Sequence, residues 1–321
     1  MQIPQFIRPA ILFLMLFLFG SSIQMNAQAK LDTTAYIPIS ILPGIEHNLE
    51  LIYKLHNTRL ITNERDMPLN SGIDSMVIQV LIHKTDTGSY VFNLIHFERL
   101  DHISNTPYIA SRDFLKNDTI KVLMGSNLQF IGLLEHKKWS DTLLNRAKAD
   151  LNTKRISLLQ YNDLKKTFAN PLAVQETVLD FWLEYFEIYG SNPILWTEYN
   201  IDIHIPNPYT GKTEYFKTTE TFFTLTANPN HYIRRYNYTT SKEHYAQLAS
   251  QYKSYLLSTG SDPKMVDMMP DPKIELHKTL YQTFNHKSNQ VDLFRREFYV
   301  SVNGAKEFME DYLKLQYVRK Y

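Results

Sequence analysis

Apolar and polar residues alternate along several stretches of the chain, a period typical of β-strands that bury one face. The pattern is clear at residues 75–84 and 89–97, and the turn Thr85-Asp86-Thr87-Gly88 between them predicts an antiparallel hairpin. A second hairpin is predicted around Asn303-Gly304, a dipeptide that favours tight two-residue turns. Alternation predicts further strands at residues 49–55, 119–124, 128–134, 195–205, 212–227, 232–238, 293–302 and 306–319. For the last of these, a helical start at residues 305–310 is the alternative.

Apolar residues recur every three or four positions in the middle of the chain, which predicts helices. Three of these helices cover residues 139–151, 157–168 and 171–189. A fourth follows the capping-box pattern at 240–243, carries its apolar residues between Tyr245 and Leu256, and ends before Gly260. The third begins at Asn170-Pro171, an N-cap residue followed by proline at the first helical position, and stops at Gly190. Residues 259–290 contain three prolines and predict an irregular connection with room for a short helix.

The order of these elements predicts an α+β fold, a mostly antiparallel β-sheet with three to four packed helices. A curved sheet or half-barrel is one form that such a fold takes. Residues 30–151 form an N-terminal β-rich part, and residues 152–321 contain a helical segment followed by a second β-rich part. Whether the two parts share one sheet, and so form one domain, is left open by the pattern.

Residues 1–29 have the layout of a secretory signal peptide. Arg8 precedes the unbroken apolar run 10–19, and the small residues Ala27 and Ala29 mark a cleavage site before Lys30. An uncleaved membrane anchor is the alternative, but a span needs about 20 consecutive apolar residues and this run is shorter. We therefore expect export to the periplasm or the extracellular space, and no stable membrane span after cleavage.

Composition narrows the choice of partners. The chain has 34 Lys and Arg against 33 Asp and Glu, and loss of Arg8 with the signal peptide makes it formally neutral. A nucleic-acid partner is not expected, because phosphate binding calls for a basic excess. The chain has no cysteine, which excludes disulfides, zinc-thiolate sites, thiol catalysis and a lipoprotein-type lipid anchor.

Candidate chemistry is sparse. Asp86-Thr87-Gly88 matches the catalytic motif of aspartic proteases, but that chemistry needs two such aspartates and the chain has one motif, so a turn is favoured. His83 and His96 lie on opposite arms of the first hairpin and would form a two-ligand metal site only if the register brought them together. No catalytic, metal or cofactor-binding residue is predicted.

The helix predicted at 171–189 is the most unusual segment. Its acidic residues fall on one stripe, which predicts a solvated face; a carboxylate metal site is the alternative. These residues are Glu176, Asp180, Glu184 and Glu187. The remaining surface is broadly apolar and must be buried, so Trp182, Tyr185 and Phe186 are candidates to face an apolar ligand.

The chain resembles uncharacterised secreted or periplasmic β-rich proteins of Gram-negative bacteria. The resemblance rests on Tyr53-Lys54-Leu55 in an early strand, and on Asn207-Pro208-Tyr209-Thr210-Gly211-Lys212 leading into Phe222-Phe223-Thr224-Leu225-Thr226. It implies an exported protein and assigns no residue a role.

Two classes of function are compatible with these features. The first is a non-catalytic binding or assembly module, with an apolar small molecule or an envelope protein as its partner. The alternative is an exported hydrolase whose site is assembled from residues distant in sequence. The absence of local catalytic motifs favours the binding module and leaves the question of an enzyme open.

Overall fold

The structure is a computed structural model. It describes residues 49–65, 67–104, 118–154, 156–191, 193–206, 213–225, 228–258, 260–285 and 290–320. The predicted signal peptide and the segment 207–212 lie outside these residues, so what was expected of them stays a prediction.

Eleven strands form a single antiparallel sheet. Their bounds are β1 Leu49–Thr62, β2 Pro68–Lys84, β3 Tyr90–Ser104, β4 Thr119–Met124, β5 Phe130–Leu133, β6 Glu198–Pro206, β7 Thr213–Leu225, β8 Asn228–Thr239, β9 Ile274–Asn285, β10 Gln290–Val302 and β11 Ala305–Lys320. The predicted α+β fold with a mostly antiparallel sheet is confirmed.

The strand order is β5-β4-β3-β2-β1-β11-β10-β9-β8-β7-β6. Strands β1 and β11 pair along their whole lengths, from Leu49 opposite Lys320 to Thr62 opposite Lys306. This pairing joins the N-terminal and C-terminal β-rich parts into one sheet. Strands β5 and β6 are its two edges, so the sheet is open and not closed into a barrel.

Six helices are described. They are α1 His136–Asn152, α2 Leu158–Thr167, α3 Pro171–Leu179, α4 Phe181–Phe186, α5 Lys242–Ser258 and α6 Pro263–Met268. Among the described residues, no helix has the length and hydropathy needed to cross a membrane. The number exceeds the predicted three to four, because one predicted helix is split in two and a short helix precedes β9.

One face of the sheet, here called the inner face, is buried beneath helices. On β1 the side chains of Leu51, Tyr53 and Leu55 are buried, whereas the intervening Lys54 and His56 are partly exposed. Neighbouring strands add aliphatic and aromatic residues in the same register, with Val80 opposite Leu51 and Ile78 opposite Tyr53. The alternation of apolar and polar residues in the sequence therefore reflects the burial of the inner face of the sheet.

Hairpins at two predicted places are confirmed. Asn303 and Gly304 have positive φ angles of 52° and 88°, and they connect Val302 to its partner Ala305. A type I′ turn needs positive φ at both central residues, which Asn and Gly tolerate best. Asp86 is exposed in the β2–β3 turn, where the Gly88 amide donates to the carbonyl of Thr85 at 3.0 Å.

The long helix predicted at 171–189 is wrong in one respect, since it breaks at Asp180. This residue has φ 48° and ψ −124°, a conformation that non-glycine residues rarely adopt. Helix α3 therefore ends at Leu179 and α4 begins at Phe181. The side chain of Asp180 accepts a hydrogen bond from Nη2 of Arg296 at 2.8 Å, so a tertiary contact holds the break in place.

The irregular connection predicted at 259–290 is also wrong, because it contains the twelve-residue strand β9. Its inner positions are buried from Ile274 to Phe284, but Lys278 and Gln282 occupy two of them. Polar residues at these positions interrupt the apolar alternation from which a strand is recognised. The same two side chains belong to the candidate site.

Candidate functional site

Residues 171–190, comprising α3, α4 and the following turn, lie against the inner face and are here called the helical plug. Every residue of α4 is buried. The Phe186 ring lies 5.5 Å from Phe92 on β3, and the Tyr185 ring lies 6.2 Å from Phe294 on β10. Aromatic rings of the plug and of the sheet thus form one packed cluster.

The three residues predicted to face a ligand are brought together in this cluster. Trp182 lies 4.9 Å from Tyr185 and 5.9 Å from Phe186, measured between ring centroids. All three side chains are covered by other parts of the protein. Contact between them and a ligand stays a prediction, and it requires the plug to separate from the sheet.

Three tyrosine hydroxyls form a buried chain at the plug. The Tyr185 hydroxyl lies 2.8 Å from that of Tyr53 on β1 and 3.2 Å from that of Tyr189. The Tyr53 hydroxyl also donates to the carbonyl of Val291 at 3.0 Å. Burial raises the pKa of all three hydroxyls well above 10, so they remain neutral hydrogen-bonding groups.

The acidic stripe on this segment is not a solvated face, so that prediction is wrong for three of its four residues. Asp180 and Glu184 are buried, and the side chain of Glu187 is only 13% exposed. Glu176 is partly exposed. The carboxylates of Asp180, Glu184 and Glu187 point toward the sheet, where cations pair with them.

Arg234 on β8 makes the largest number of these contacts. Its Nε donates to Oε1 of Glu220 on β7 at 2.5 Å, and its Nη2 donates to Oε2 of Glu187 at 2.8 Å. Nη1 donates to the carbonyl of Glu184 at 3.0 Å and to Oε1 of Gln282 at 3.3 Å. The side chain is 1% exposed, so the guanidinium connects two strands to the plug away from water.

Glu184 is the second centre of the network. Its Oε1 accepts from Nζ of Lys278 on β9 at 2.5 Å, and its Oε2 lies 3.9 Å from Nη1 of Arg296 on β10. Arg296 also pairs with Asp180 of the plug and with Asp311 on β11. Asp311 in turn accepts from the side-chain amide of Asn57 on β1.

These polar side chains form a belt across six adjacent strands of the inner face. The register aligns Asp311 with Arg296, and Tyr236 with Glu220, in one row perpendicular to the strands. We call the following set the polar belt: Asn57, Asp311, Arg296, Lys278, Gln282, Arg234 and Glu220. The inner face of β2, β3 and β4 beside it is aliphatic and aromatic.

Two carboxyl groups of the plug that contact the polar belt have pKa values shifted in opposite directions. Burial opposes the charge of Glu184, but Lys278 and Arg296 outweigh it and hold the pKa of this carboxyl below its usual range. Burial dominates at Glu187 and raises its pKa to about 7, although Arg234 acts in the opposite direction. One carboxyl of the plug is therefore firmly ionised, and another is poised near neutrality.

Five buried polar atoms in the plug and beside the polar belt lack a hydrogen-bond partner within the described part of the chain. They are Oε2 of Glu184, Oε2 of Glu220, Oδ1 of Asn57, Nε1 of Trp182 and the hydroxyl of Tyr236. An incompletely satisfied buried network stabilises a fold less than an apolar core of the same size. The interface between plug and sheet is thus less favourable than its burial alone suggests.

The remaining sequence candidates are not assembled into a site. The register places His83 opposite Val91 and His96 opposite Ile78, so the two histidines are five positions apart along the strands. This spacing corresponds to about 17 Å of strand and rules out a shared metal between them. No group of three potential metal ligands occurs among the residues that the structure describes.

Sequence reasoning missed the polar belt because its members come from six strands and one helical segment. One signal was present: residues 171–190 contain four acidic residues and no Lys, Arg or His. A second was the pair Lys278 and Gln282 at inner positions of an otherwise alternating stretch. Neither signal identifies its partners without the strand register.

Replacing Glu187 with glutamine should alter the pH dependence of the unfolding free energy. The folded pKa of about 7 exceeds the ordinary value of 4.5, so the folded protein binds the extra proton between these values. Stability is therefore lost as pH rises through this window, by up to about 3 kcal/mol. The glutamine side chain of the variant does not ionise. The free energy of unfolding of the variant should therefore rise relative to that of wild type from pH 5 to pH 8.

Urea unfolding followed by circular dichroism at several pH values measures this difference. The matched control is Glu198→Gln, a change at an exposed position on the edge strand β6. Its stability difference from wild type should be nearly the same at all pH values. A Glu187→Gln advantage that shrinks toward pH 8 would contradict the expectation.

Comparisons with known proteins assign no function to this chain, so a functional proposal has to rest on the geometry of the site. No protein-family model matches the chain, and no curated protein sequence matches it. Among solved structures the chain is similar to one of lipovitellin, determined to describe lipid–protein interactions, with 8% sequence identity and a TM-score of 0.39. The similarity covers 87% of this chain but only 26% of the lipovitellin chain.

Proposed function

We propose that this protein is an exported, non-catalytic binding module for an apolar ligand, and that the helical plug covers the binding surface when no ligand is bound. The observation that carries the proposal is the composition of the interface between plug and sheet. Aromatic rings lie on both sides, and buried ion pairs hold the two sides together.

The ion pairs support a plug that can separate. Lifting a wholly apolar helix exposes apolar surface to water, with no compensation. Charged groups such as Glu184 and Lys278 regain hydration when they separate, so their buried pairing adds little net stability. The partners are specific, however, and they return the plug to one position.

The surface beneath the plug supports an apolar ligand. The sheet residues that contact the plug include Tyr53, Phe92, Phe284 and Phe294, all fully buried. If the plug moved without a ligand, these rings would be exposed to water at a cost of about 25 cal/mol for each Å². A ligand that covers them removes this cost and stabilises the open form.

Identification of the molecules that co-purify with the protein tests the proposal directly. Protein purified from the envelope of its own cells should show, by native mass spectrometry, an added mass that disappears after lipid extraction. The extracted material should contain a lipid. A co-purified protein without lipid would overturn the proposal in favour of an assembly role, and the absence of any added component would overturn it as well.

A tryptophan reporter locates the ligand. The chain has three tryptophans, of which Trp139 and Trp182 are buried and Trp196 is 69% exposed. A variant that keeps only Trp182, by Trp139→Phe and Trp196→Phe, should change its emission when the neutral lipid oleyl alcohol is added. The matched control keeps only Trp196, in the turn before β6, and should not respond. An unresponsive Trp182 would contradict binding beneath the plug.

A further inference from the structure

Charges at the interface are sorted by sign between the plug and the sheet. The plug supplies only carboxylates, from Asp180, Glu184 and Glu187, because residues 171–190 contain no basic residue. The cations that pair with them lie on three neighbouring strands of the sheet. These are Arg234 on β8, Lys278 on β9 and Arg296 on β10.

The three cations form one patch on the inner face. Arg234 is directly opposite Gln282, and Arg296 is directly opposite Leu280. Lys278 is two positions from Leu280 on β9 and so points to the same side of the sheet. Lys278 and Arg296 approach the carboxylate of Glu184, and Arg234 donates to the backbone carbonyl of the same residue, so all three cations reach one residue of the plug.

Each of the three cations is paired with a carboxylate of the plug. Within the sheet, Glu220 also pairs with Arg234, and Asp311 also pairs with Arg296. When the plug separates, all three cations lose a plug carboxylate. A buried cation that loses its counter-charge is unfavourable. An open form covered by a wholly apolar ligand would therefore lack the negative charge that the plug supplies in the closed form.

We propose that the ligand is an anionic amphiphile, whose carboxylate or phosphate head replaces the plug's carboxylates on Arg234, Lys278 and Arg296. The plug then acts as an internal substitute for the ligand head. This inference rests on the proposed function, because it requires that a ligand enters beneath the plug.

The position of the patch also determines the orientation in which the ligand would bind. The cations occupy β8 to β10, whereas the inner face from β2 to β4 consists mainly of buried apolar residues such as Val80, Leu94 and Val122. With its head at the cations, the acyl chain extends past Phe294 and Tyr53 toward β3 and β4. The head group and the chain thus meet chemically matched parts of one surface.

Paired lipids that differ only in the head test the inference on the wild-type full chain. The pairs are oleate with oleyl alcohol, and dioleoyl phosphatidate with dioleoylglycerol, all at pH 8. Displacement of the neutral apolar dye N-phenyl-1-naphthylamine measures the affinity of each lipid. We expect each anionic lipid to bind at least about tenfold more tightly than its neutral partner.

The two anionic lipids distinguish a carboxylate head from a phosphate head, and preference for either supports the inference. Equal affinities within both pairs would overturn it, while leaving the proposed function intact. Failure of the dye and of all four lipids to bind would instead overturn the proposed function. The two failures are therefore distinguishable.

Charge variants add a second measurement. Lys278→Met should reduce the preference for anionic lipid to less than about threefold, since the patch loses one of its cations. Lys217→Met, at an exposed position on β7, is the matched control and should keep the full preference. Should Lys278→Met fail to fold, the combined variant Glu184→Gln with Lys278→Met removes both charges and is expected to show the same reduced preference. Retention of the full preference in a folded Lys278 variant would overturn the assignment of the patch.

Discussion

Replacing Arg234 with methionine should lower the free energy of unfolding by about 5 kcal/mol or more, because it leaves buried carboxylates without their cation. Glu220 is fully buried and Glu187 nearly so, and both accept hydrogen bonds from this guanidinium. The change also removes the donor to the carbonyl of Glu184. Such a loss is comparable with the whole stability of many domains.

Urea unfolding followed by circular dichroism measures the effect, with Arg235→Met as the matched control. Arg235 is the next residue on β8, and its side chain is exposed on the opposite face of the sheet. We expect this control to stay within about 0.5 kcal/mol of wild type. Equal stabilities of the two variants would show that Arg234 does not hold the plug.

Arg234→Lys should not restore the loss. Arg234 donates from all three of its nitrogens to groups on two strands and on the plug. A lysine offers one compact ammonium and cannot reach these acceptors at the same time. A lysine variant as stable as wild type would indicate that charge alone, without geometry, accounts for the role of Arg234.

Lys278→Met is expected to destabilise the protein by about 3–5 kcal/mol, because Glu184 then remains buried without its closest cation. The Lys278 ammonium lies 2.5 Å from Oε1 of Glu184, and both side chains are almost completely buried. Adding Glu184→Gln to this variant should recover most of the loss, since the unpaired charge is removed. Arg296 keeps Asp180 and Asp311 as partners in the double variant.

A double-mutant cycle measures the coupling from the unfolding free energies of wild type, both single variants and the double variant. We expect the double variant to be more stable than Lys278→Met alone. Additive losses would mean that the two side chains act independently, and would contradict a buried ion pair between plug and sheet. Lys217→Met again serves as the exposed control.

Much of the sheet could be predicted from sequence, because burial of one face leaves a period of two that is visible locally. The strands around Asp86 and around Asn303-Gly304 follow directly from alternation and turn chemistry. Strand β9 was missed because Lys278 and Gln282 replace apolar residues at its inner positions. Local patterns fail where polar residues are buried for a reason that lies elsewhere in the chain.

The candidate site was only half predictable. The breadth of the apolar surface on residues 171–189 indicated that this segment is buried, and Trp182, Tyr185 and Phe186 are indeed covered. The acidic stripe was assigned to solvent because acids on a helix normally face water. Its partners, Arg234, Lys278 and Arg296, are 47 to 116 residues distant from the acids they bind in the chain.

The sequence by itself determined the class of fold, the closing hairpin and the position of the buried helical segment, because each depends on interactions between near neighbours in the chain. Only the tertiary structure decided that β1 and β11 join two β-rich parts into one open sheet. It also decided that the acids of the plug meet cations from three strands. Strand register fixes such pairings, and register arises from contacts across the whole sheet.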